Sequence, residues 1–478
     1  VIADLAVRTR PVGAPGYRIV APIIACALFM EQMDATVLTT ALPTMARELA
    51  TPVTELSAAL TSYLLALAVF IPASGRMADR FGARTVFRAA ILVFLLGSLL
   101  CGQARSVPFL IGARFVQGIG GAMMVPIGRL VLLRSVPKED LVRAMSWLII
   151  PAMLGPVAGP PIGGFVVTYL NWRWIFYLNI PMGLLGVVLV TRFIGDVRGE
   201  GTRRADPFGF LLSGAALGCL LFGAELAPRS GHLRAALTLL AAGLLLGLAY
   251  VLYARKAKDP ILDIGLMRVP TFRMSVLAGS LTRVTQGAQA LLLPLMLQLG
   301  FGLNAAVSGS VTIAGALGAF SMKWLAPRIL RRFGFRSVMI FNGLLACAGY
   351  ACCGLMRPSW PLLAVFAFLA LCGFFMSLQF TAYNTIAYDE ISSERMSDAT
   401  SFYTTFQQLT LSFGICAGAG ILHTAMSLGG RAAPRLSDFA FAFLGVAAVS
   451  ALATIWHLGL SPAAGEEMSG RVRRESGP

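Results

Sequence analysis

The sequence predicts an all-α polytopic membrane protein, and three observations point to it. The 478 residues have a mean hydropathy of +0.76. Only 13% of them are charged, about half the share with which a soluble chain covers its surface. Apolar runs of roughly 20 residues, the length a helix needs to cross a hydrocarbon core of about 30 Å, recur from end to end. The runs are continuous rather than alternating, which excludes a membrane β-barrel.

The spans follow in order, as fourteen apolar windows. Six lie at 19–44, 54–75, 84–103, 107–134, 141–169 and 174–194. Two follow at 207–227 and 233–254, and six more at 272–299, 304–327, 336–356, 360–388, 397–427 and 437–459. An even number places both termini on one side of the bilayer. The first run lacks a small-residue cleavage pattern after it, so it reads as a span and not as a removable signal peptide.

The formal net charge of +17 has a topological explanation. Alternate loops carry Arg80/Arg84/Arg88, Arg134/Lys138/Arg143, Arg203/Arg204, Arg255/Lys256/Lys258 and Arg328/Arg331/Arg332/Arg336. The other loops hold mostly single basic residues, such as Arg47, Arg105, Arg229 and Arg357. This bias sets the basic loops and both termini in the cytoplasm, and nucleic-acid binding is not needed to account for it. The eight cysteines fall inside the spans as small apolar side chains, and the three histidines are scattered, so neither disulfides nor a metal site is expected. No nucleophile–base pair suggests an enzyme, no cofactor is implied, and no loop is long enough for a sensor domain.

An internal repeat organises the chain. SGRMADRFGARTVF from Ser74 aligns with APRILRRFGFRSVM from Ala326, matching Arg76, Arg80, Phe81, Gly82, Arg84 and Val86 to Arg328, Arg332, Phe333, Gly334, Arg336 and Val338, 252 positions apart. Six helices occupy about 190 residues at this spacing, and two inserted helices account for the rest. The expected division is a tail at 1–17, a six-helix bundle at 18–195, a linker and two-helix insert at 196–260, a second bundle at 261–460 and a tail at 461–478. Duplicated halves with a substrate path between them are a transporter architecture.

Several motifs sharpen this. GRMADRFGAR resembles the signature loop of the major facilitator superfamily, with Met77 and Ala83 departing from its pattern. LIGARFVQGIGGA (Leu110–Ala122) is similar to the family's fourth-helix motif, and LGPVAGPPIGG (Leu154–Gly164) to its fifth-helix antiporter motif. DATVLTTALP (Asp34–Pro43) and WRWIFYLNIP (Trp172–Pro181) resemble the fourteen-helix drug:proton antiporters of the EmrB/QacA type, with Thr39 where asparagine is usual. Within that branch the chain looks most like bacterial efflux proteins of the HsrA/MdtD kind. The resemblance implies proton-coupled efflux of small amphipathic organic compounds across the bacterial inner membrane. The alternative is export of a specific organic anion or metal chelate of siderophore or metal–citrate type. The expected partners are a small-molecule substrate, protons and the lipid bilayer. A periplasmic adaptor stays an open question.

Glu31 and Asp34 lie one helical turn apart within the first span. An ionised carboxylate at mid-bilayer costs about 2.5–3.5 kcal/mol on insertion scales, so an acid here either carries protons or is held by a partner. The resemblance favours Asp34 for coupling, since the motif contains it; Glu31 has no place in the motif. Arg114, inside the fourth span, must find a carboxylate, water or substrate. It either tunes Asp34 or pairs with Glu31. Gln117 follows one turn later and is expected in the substrate cavity, as are Arg283, Gln286 and Gln289 on the ninth span. The alternative for Arg283 is snorkelling to a membrane face. Two arginines would suit an anion; carboxylates and aromatics would suit a lipophilic cation.

In the signature loop, Gly75 and Gly82 are expected to permit a tight turn, with Asp79, Arg80 and Arg84 forming a cytoplasmic latch. The second copy has Arg331 in place of Asp79, so such a latch is one-sided. On the fifth span Gly155, Gly159 and Gly163 recur every four residues as a smooth packing face. Gly164 completes the motif, and Pro156 and Pro160 remove amide donors, so the run reads as a pivot or seal between halves. Glu225, at the end of the seventh span, is expected to be solvated.

Overall fold

The computed structural model describes residues 17–135, 141–195, 206–228, 231–392, 395–431, 433–461 and 465. Lys138, Arg203, Arg204, Arg229 and the expected tails, apart from Tyr17, Ser461 and Gly465, lie outside them. Among the described residues the chain is helical, without a strand. The long helices are α1 (Tyr17–Glu48), α2 (Ser57–Phe81), α3 (Ala83–Gly102), α4 (Val107–Ser135), α5 (Leu141–Tyr169) and α6 (Trp174–Phe193). The insert supplies α7 (Pro207–Leu226) and α8 (Leu233–Ala254). The second half supplies α9 (Pro270–Leu295), α10 (Ala305–Phe333), α11 (Phe335–Cys353), α12 (Leu362–Ile386), α13 (Met396–Leu428) and α14 (Leu436–Leu458). Each coincides with one of the fourteen apolar windows. All are long enough to cross a bilayer or nearly so, and twelve are also apolar enough by composition.

Helix boundaries follow local chemistry. Asp206 caps α7 by accepting from the Gly209 amide at 2.8 Å, with Pro207 at the first helical position. Asn304 caps α10 by accepting from the Val307 amide at 2.8 Å. Gly82 and Gly334 break α2 from α3 and α10 from α11 with φ of +87° and +75°, where a side chain would be strained. Gly75 does not turn the chain: it lies inside α2, with open space where a Cβ would stand.

The two halves repeat each other's packing. In the first, α1 lies on α5, α2 on α4 and α3 on α4; in the second, α9 lies on α13, α10 on α12 and α11 on α12. The repeated arginines also act alike. Arg84 donates to the Thr191 carbonyl near the end of α6, and Arg336 to the Leu458 carbonyl at the end of α14, 3.1 Å away. Each places a cation where a helix presents unpaired carbonyls. Arg76 instead reaches the linker after the insert, donating to the carbonyls of Asp259 and Pro260 at 3.0 and 2.9 Å.

Across the halves, α5 packs on α10 and α2 on α13, and α7 of the insert leans on both α2 and α13. The apolar core is arranged unequally. Near the α1–α2 loop one continuous cluster joins the halves, from Val37, Ala41 and Leu42 to Leu291, Leu295 and Val311. At the opposite end the first half has its own cluster around Ile24, Phe87 and Ile127, and the second has another around Met322, Met339 and Tyr383. The bundles are therefore sealed together at the α1–α2 loop end and separated by a cavity towards the other.

Candidate functional site

The site is built where α1 meets α2, α3, α4 and α6 inside the first half. Asp34 is 4% exposed, and Arg114, Gln117, Asn179 and Ser98 are fully buried. Arg114 donates to Asp34 Oδ2 at 2.6 Å and to Gln117 Oε1 at 2.7 Å. Gln117 Nε2 and Asn179 Nδ2 each donate to Asp34 Oδ1 at 2.9 Å. The Ser98 hydroxyl accepts from Asn179 at 3.0 Å and donates to the Phe176 carbonyl at 2.9 Å. Removing one partner from such a pair would strand a buried charge. The geometry settles the choice for Arg114: its carboxylate partner is Asp34, not Glu31. It also corrects the expectation for Gln117, which belongs to this network and does not line the cavity.

Glu31 is turned differently. Its side chain is 3% exposed and forms part of the cavity wall. Tyr63 donates to Glu31 Oε1 at 3.1 Å, while Glu31 Oε2 has no hydrogen-bond partner among the described residues. The Tyr63 ring also stacks under the Arg114 guanidinium, 4.3 Å from the ring centre, a cation–π arrangement. Tyr63 thus touches the cavity acid with its hydroxyl and the Asp34 partner with its face.

The cavity has two abutting lobes of about 550 Å³ each, which share Ala316, Ala319, Lys323, Gln407 and Gln408. One lobe holds Glu31, Gln32 and Arg129; the other holds Thr36, Arg283, Gln286, Gln289 and Asn384. Arg283 does not snorkel. It is 4% exposed, donates to Asn384 Oδ1 at 2.8 Å and to the Tyr403 hydroxyl at 3.0 Å, and lies over the rings of Phe380 and Tyr403. Lys323 reaches the Thr381 hydroxyl at 3.0 Å. Among the described residues the walls therefore combine one carboxyl group, Glu31, with three cations, Arg129, Arg283 and Lys323.

The fifth-helix glycines sit where α5 has neighbours on two sides. A Cβ at Gly155 would meet Gln32 and Phe29, one at Gly159 would meet Thr36, and one at Gly163 would meet Thr40 and Val37, all on α1. Gly164 faces the Ala305 backbone, and Gly309 of α10 faces the Pro160 carbonyl. Close packing of α5 on α1 and on α10 thus uses different residues of one motif. Further bonds cross the halves here: the Ala306 amide donates to Thr168 Oγ1 at 3.0 Å, and Gln298 Nε2 to the Thr40 carbonyl at 3.1 Å. In the signature loop, Arg80 is exposed over the Phe81 ring, and Asp79 is engaged in an interaction.

Asn179, Ser98, Tyr63, Lys323 and Arg129 were not singled out from the sequence. Asn179 lies within the WRWIFYLNIP motif, so its signal was present; Lys323 resembles an ordinary interfacial lysine near the end of a span.

Comparison with known proteins agrees with this architecture. The pattern of the Major Facilitator Superfamily matches residues 24–415 and 276–473. The chain is 34% identical over 443 residues to the probable transport protein HsrA of Haemophilus influenzae, covering 92% of this chain and 95% of that protein. It is 36% identical over 404 residues to the putative multidrug resistance protein MdtD of Pectobacterium carotovorum, covering 84% and 86%. Among solved structures, a POT family transporter in complex with 5-aminolevulinic acid superposes with a TM-score of 0.67 at 16% identity, over 94% of this chain and 96% of that one. A bacterial homologue of the human lysosomal transporter Spinster gives 0.58 at 14%, over 96% and 98%. These structural likenesses concern the fold alone. With its duplicated six-helix halves and a family match along most of its length, this transporter belongs to the major facilitator superfamily.

Proposed function

We propose that the protein exports small organic compounds across the bacterial inner membrane in exchange for protons, by alternating access between bundles 18–195 and 261–460, with both termini cytoplasmic. The observation that carries this reading is the placement of Glu31 on the wall of a cavity between two halves sealed at one end. An acid there meets whichever compartment the cavity opens to, so it takes up a proton on one side and yields it on the other. Asp34, locked to Arg114 one turn away, sets the field in which Glu31 works, and Tyr63 touches both centres. With the basic loops in the cytoplasm, the open end faces inward and the α1–α2 loop end is the closed outer gate. The signature loop, from Asp79 to Arg84, is the latch of the alternate state. The names of the MdtD relatives support a multidrug-type substrate.

A second reading has its own support. Arg283, Lys323 and Arg129 outnumber Glu31 in the cavity, and an excess of fixed positive charge favours an organic anion or anionic metal chelate over a lipophilic cation. Uptake into proteoliposomes under an imposed pH gradient tests both, with a cationic dye in one arm and a metal–citrate complex in the other. Gradient-driven uptake in either arm supports proton coupling, and the arm that responds identifies the substrate charge. Uptake that ignores the gradient in both would remove the proton from the mechanism.

A further inference from the structure

The first helix of the insert ends in a carboxylate that spans the seam between the halves. Glu225 lies one residue before the end of α7, a helix with little other polarity, and is only 8% exposed. The expected solvation is thus replaced by burial. The Ser57 hydroxyl at the start of α2, in the first half, lies 2.7 Å from Glu225 Oε1 and 2.6 Å from the Thr54 carbonyl, so its one proton is shared between the two acceptors. The Cys416 thiol on α13, in the second half, donates to Oε2 at 3.2 Å. Each oxygen therefore holds a different half, at the end of the molecule where the halves are sealed. Beneath this point Leu221 of α7 packs with Leu65 of α2 and Cys416 of α13 in a small apolar cluster.

We propose that Glu225 is a positioning residue for the transport cycle: it clasps α2 to α13 across the closed outer gate, and the two-helix insert is thereby a moving part of the carrier. This rests on the alternating-access reading. If the halves part at this end, α2 and α13 separate and one carboxylate cannot keep both bonds. Stranding a buried carboxylate would be costly, but a cavity of about 400 Å³ lined by Glu225, Glu55, His232, His423, Thr54 and Cys416 adjoins it. Water, the Thr54 hydroxyl and the two histidines can receive the carboxylate once the clasp opens. The arrangement has two states, both solvated or bonded, which is what a reversible gate needs.

The test measures the distance between the halves directly, away from the clasp. Nitroxide labels are placed through Arg105→Cys in the α3–α4 loop and Ser359→Cys in the α11–α12 loop, both exposed at this end. The native cysteines are replaced by serine, which keeps a donor at position 416. Electron–electron distance measurements then report the short, gate-closed and long, gate-open populations in the reconstituted full chain. Glu225→Leu should raise the long-to-short ratio about tenfold, the loss expected for one charge-assisted hydrogen bond. Glu225→Gln, which still accepts from Ser57, should fall between. Ser57→Ala removes a single hydroxyl and should shift the ratio in the same direction even if Glu225→Leu fails to insert. A wild-type protein with both distances, unmoved by Glu225→Leu and Ser57→Ala, would overturn the clasp alone. A single fixed distance under every condition would overturn the alternation on which it rests.

Discussion

Arg114 and Asp34 form a buried ion pair, 2.6 Å from nitrogen to oxygen, one helical turn from an acid that reaches the cavity. The pair is sealed among Gln117, Asn179 and Ser98, so its first consequence is for stability as well as transport. Asp34→Ala leaves Arg114 buried without a counter-charge, a change that typically costs about 3–5 kcal/mol. Asp34→Asn keeps an acceptor and should cost less. Thermal unfolding in detergent should rank the two in that order, and proton-driven uptake should be lost in both. Wild-type uptake by an inserted Asp34→Asn protein would confine the pair to a structural role.

Glu31 gives a separate outcome. Glu31→Gln removes the titrating group on the cavity wall while retaining the acceptor for Tyr63. Substrate counterflow, which needs no net proton movement, should persist, whereas uptake driven by a pH gradient should fall to background. Parallel loss of both activities would mean that Glu31 serves substrate binding or folding instead of coupling. Tyr63→Phe removes one hydrogen bond, worth about 0.5–1.5 kcal/mol, and keeps the ring under Arg114. It should move the pH dependence of uptake with little loss of stability.

These two acids show how far the sequence could be read. The α1 motif, the charge balance and the in-span Arg114 were enough to expect a buried carboxylate–guanidinium pair. The direction each acid faces was not legible. Three residues on a helix differ by about 60° around its axis, which is enough to turn Asp34 into the bundle and Glu31 towards the cavity wall. Gln117 shows the opposite outcome of the same offset: three residues from Arg114, it stays with that residue in the interior, bonded to it and to Asp34. The repeat was more transparent, because Gly82 and Gly334 both take the positive φ that favours glycine. Glu225 was opaque, since its partners Ser57 and Cys416 are 168 and 191 positions away and have ordinary residue types.

Arg283 should govern substrate charge. Its guanidinium is held by Asn384 and Tyr403 on the wall of one lobe. Arg283→Gln should weaken uptake of a metal–citrate complex about tenfold or more, the scale of a lost charge-assisted bond, and leave a cationic dye unaffected or improved. Lys323→Gln should act in the same direction but less strongly, because a lysine is a single point charge without the planar fork of Arg283, and its ammonium is already bonded to the Thr381 hydroxyl. Equal loss for both probes would assign Arg283 to the packing of α9 against α12 and α13.

The α5–α10 seam offers a steric prediction. A methyl group at Gly309 would run into the Pro160 carbonyl, and one at Gly164 into the Ala305 backbone. Backbone cannot rotate away as a side chain can, so Gly309→Ala must push α10 from α5. Overpacking of this kind costs about 1–3 kcal/mol, and the cost falls on the conformation in which the two helices touch. The carrier should therefore spend more time open at the α1–α2 loop end, seen as faster labelling of a cysteine placed at Thr39 by an impermeant maleimide added from that side. Gly155→Ala is the comparison: its nearest obstacle, the Gln32 side chain, belongs to the same half and moves with it. That change should alter stability without altering which end is open. If both variants label at the wild-type rate, the close approach of α5 and α10 does not determine the gate.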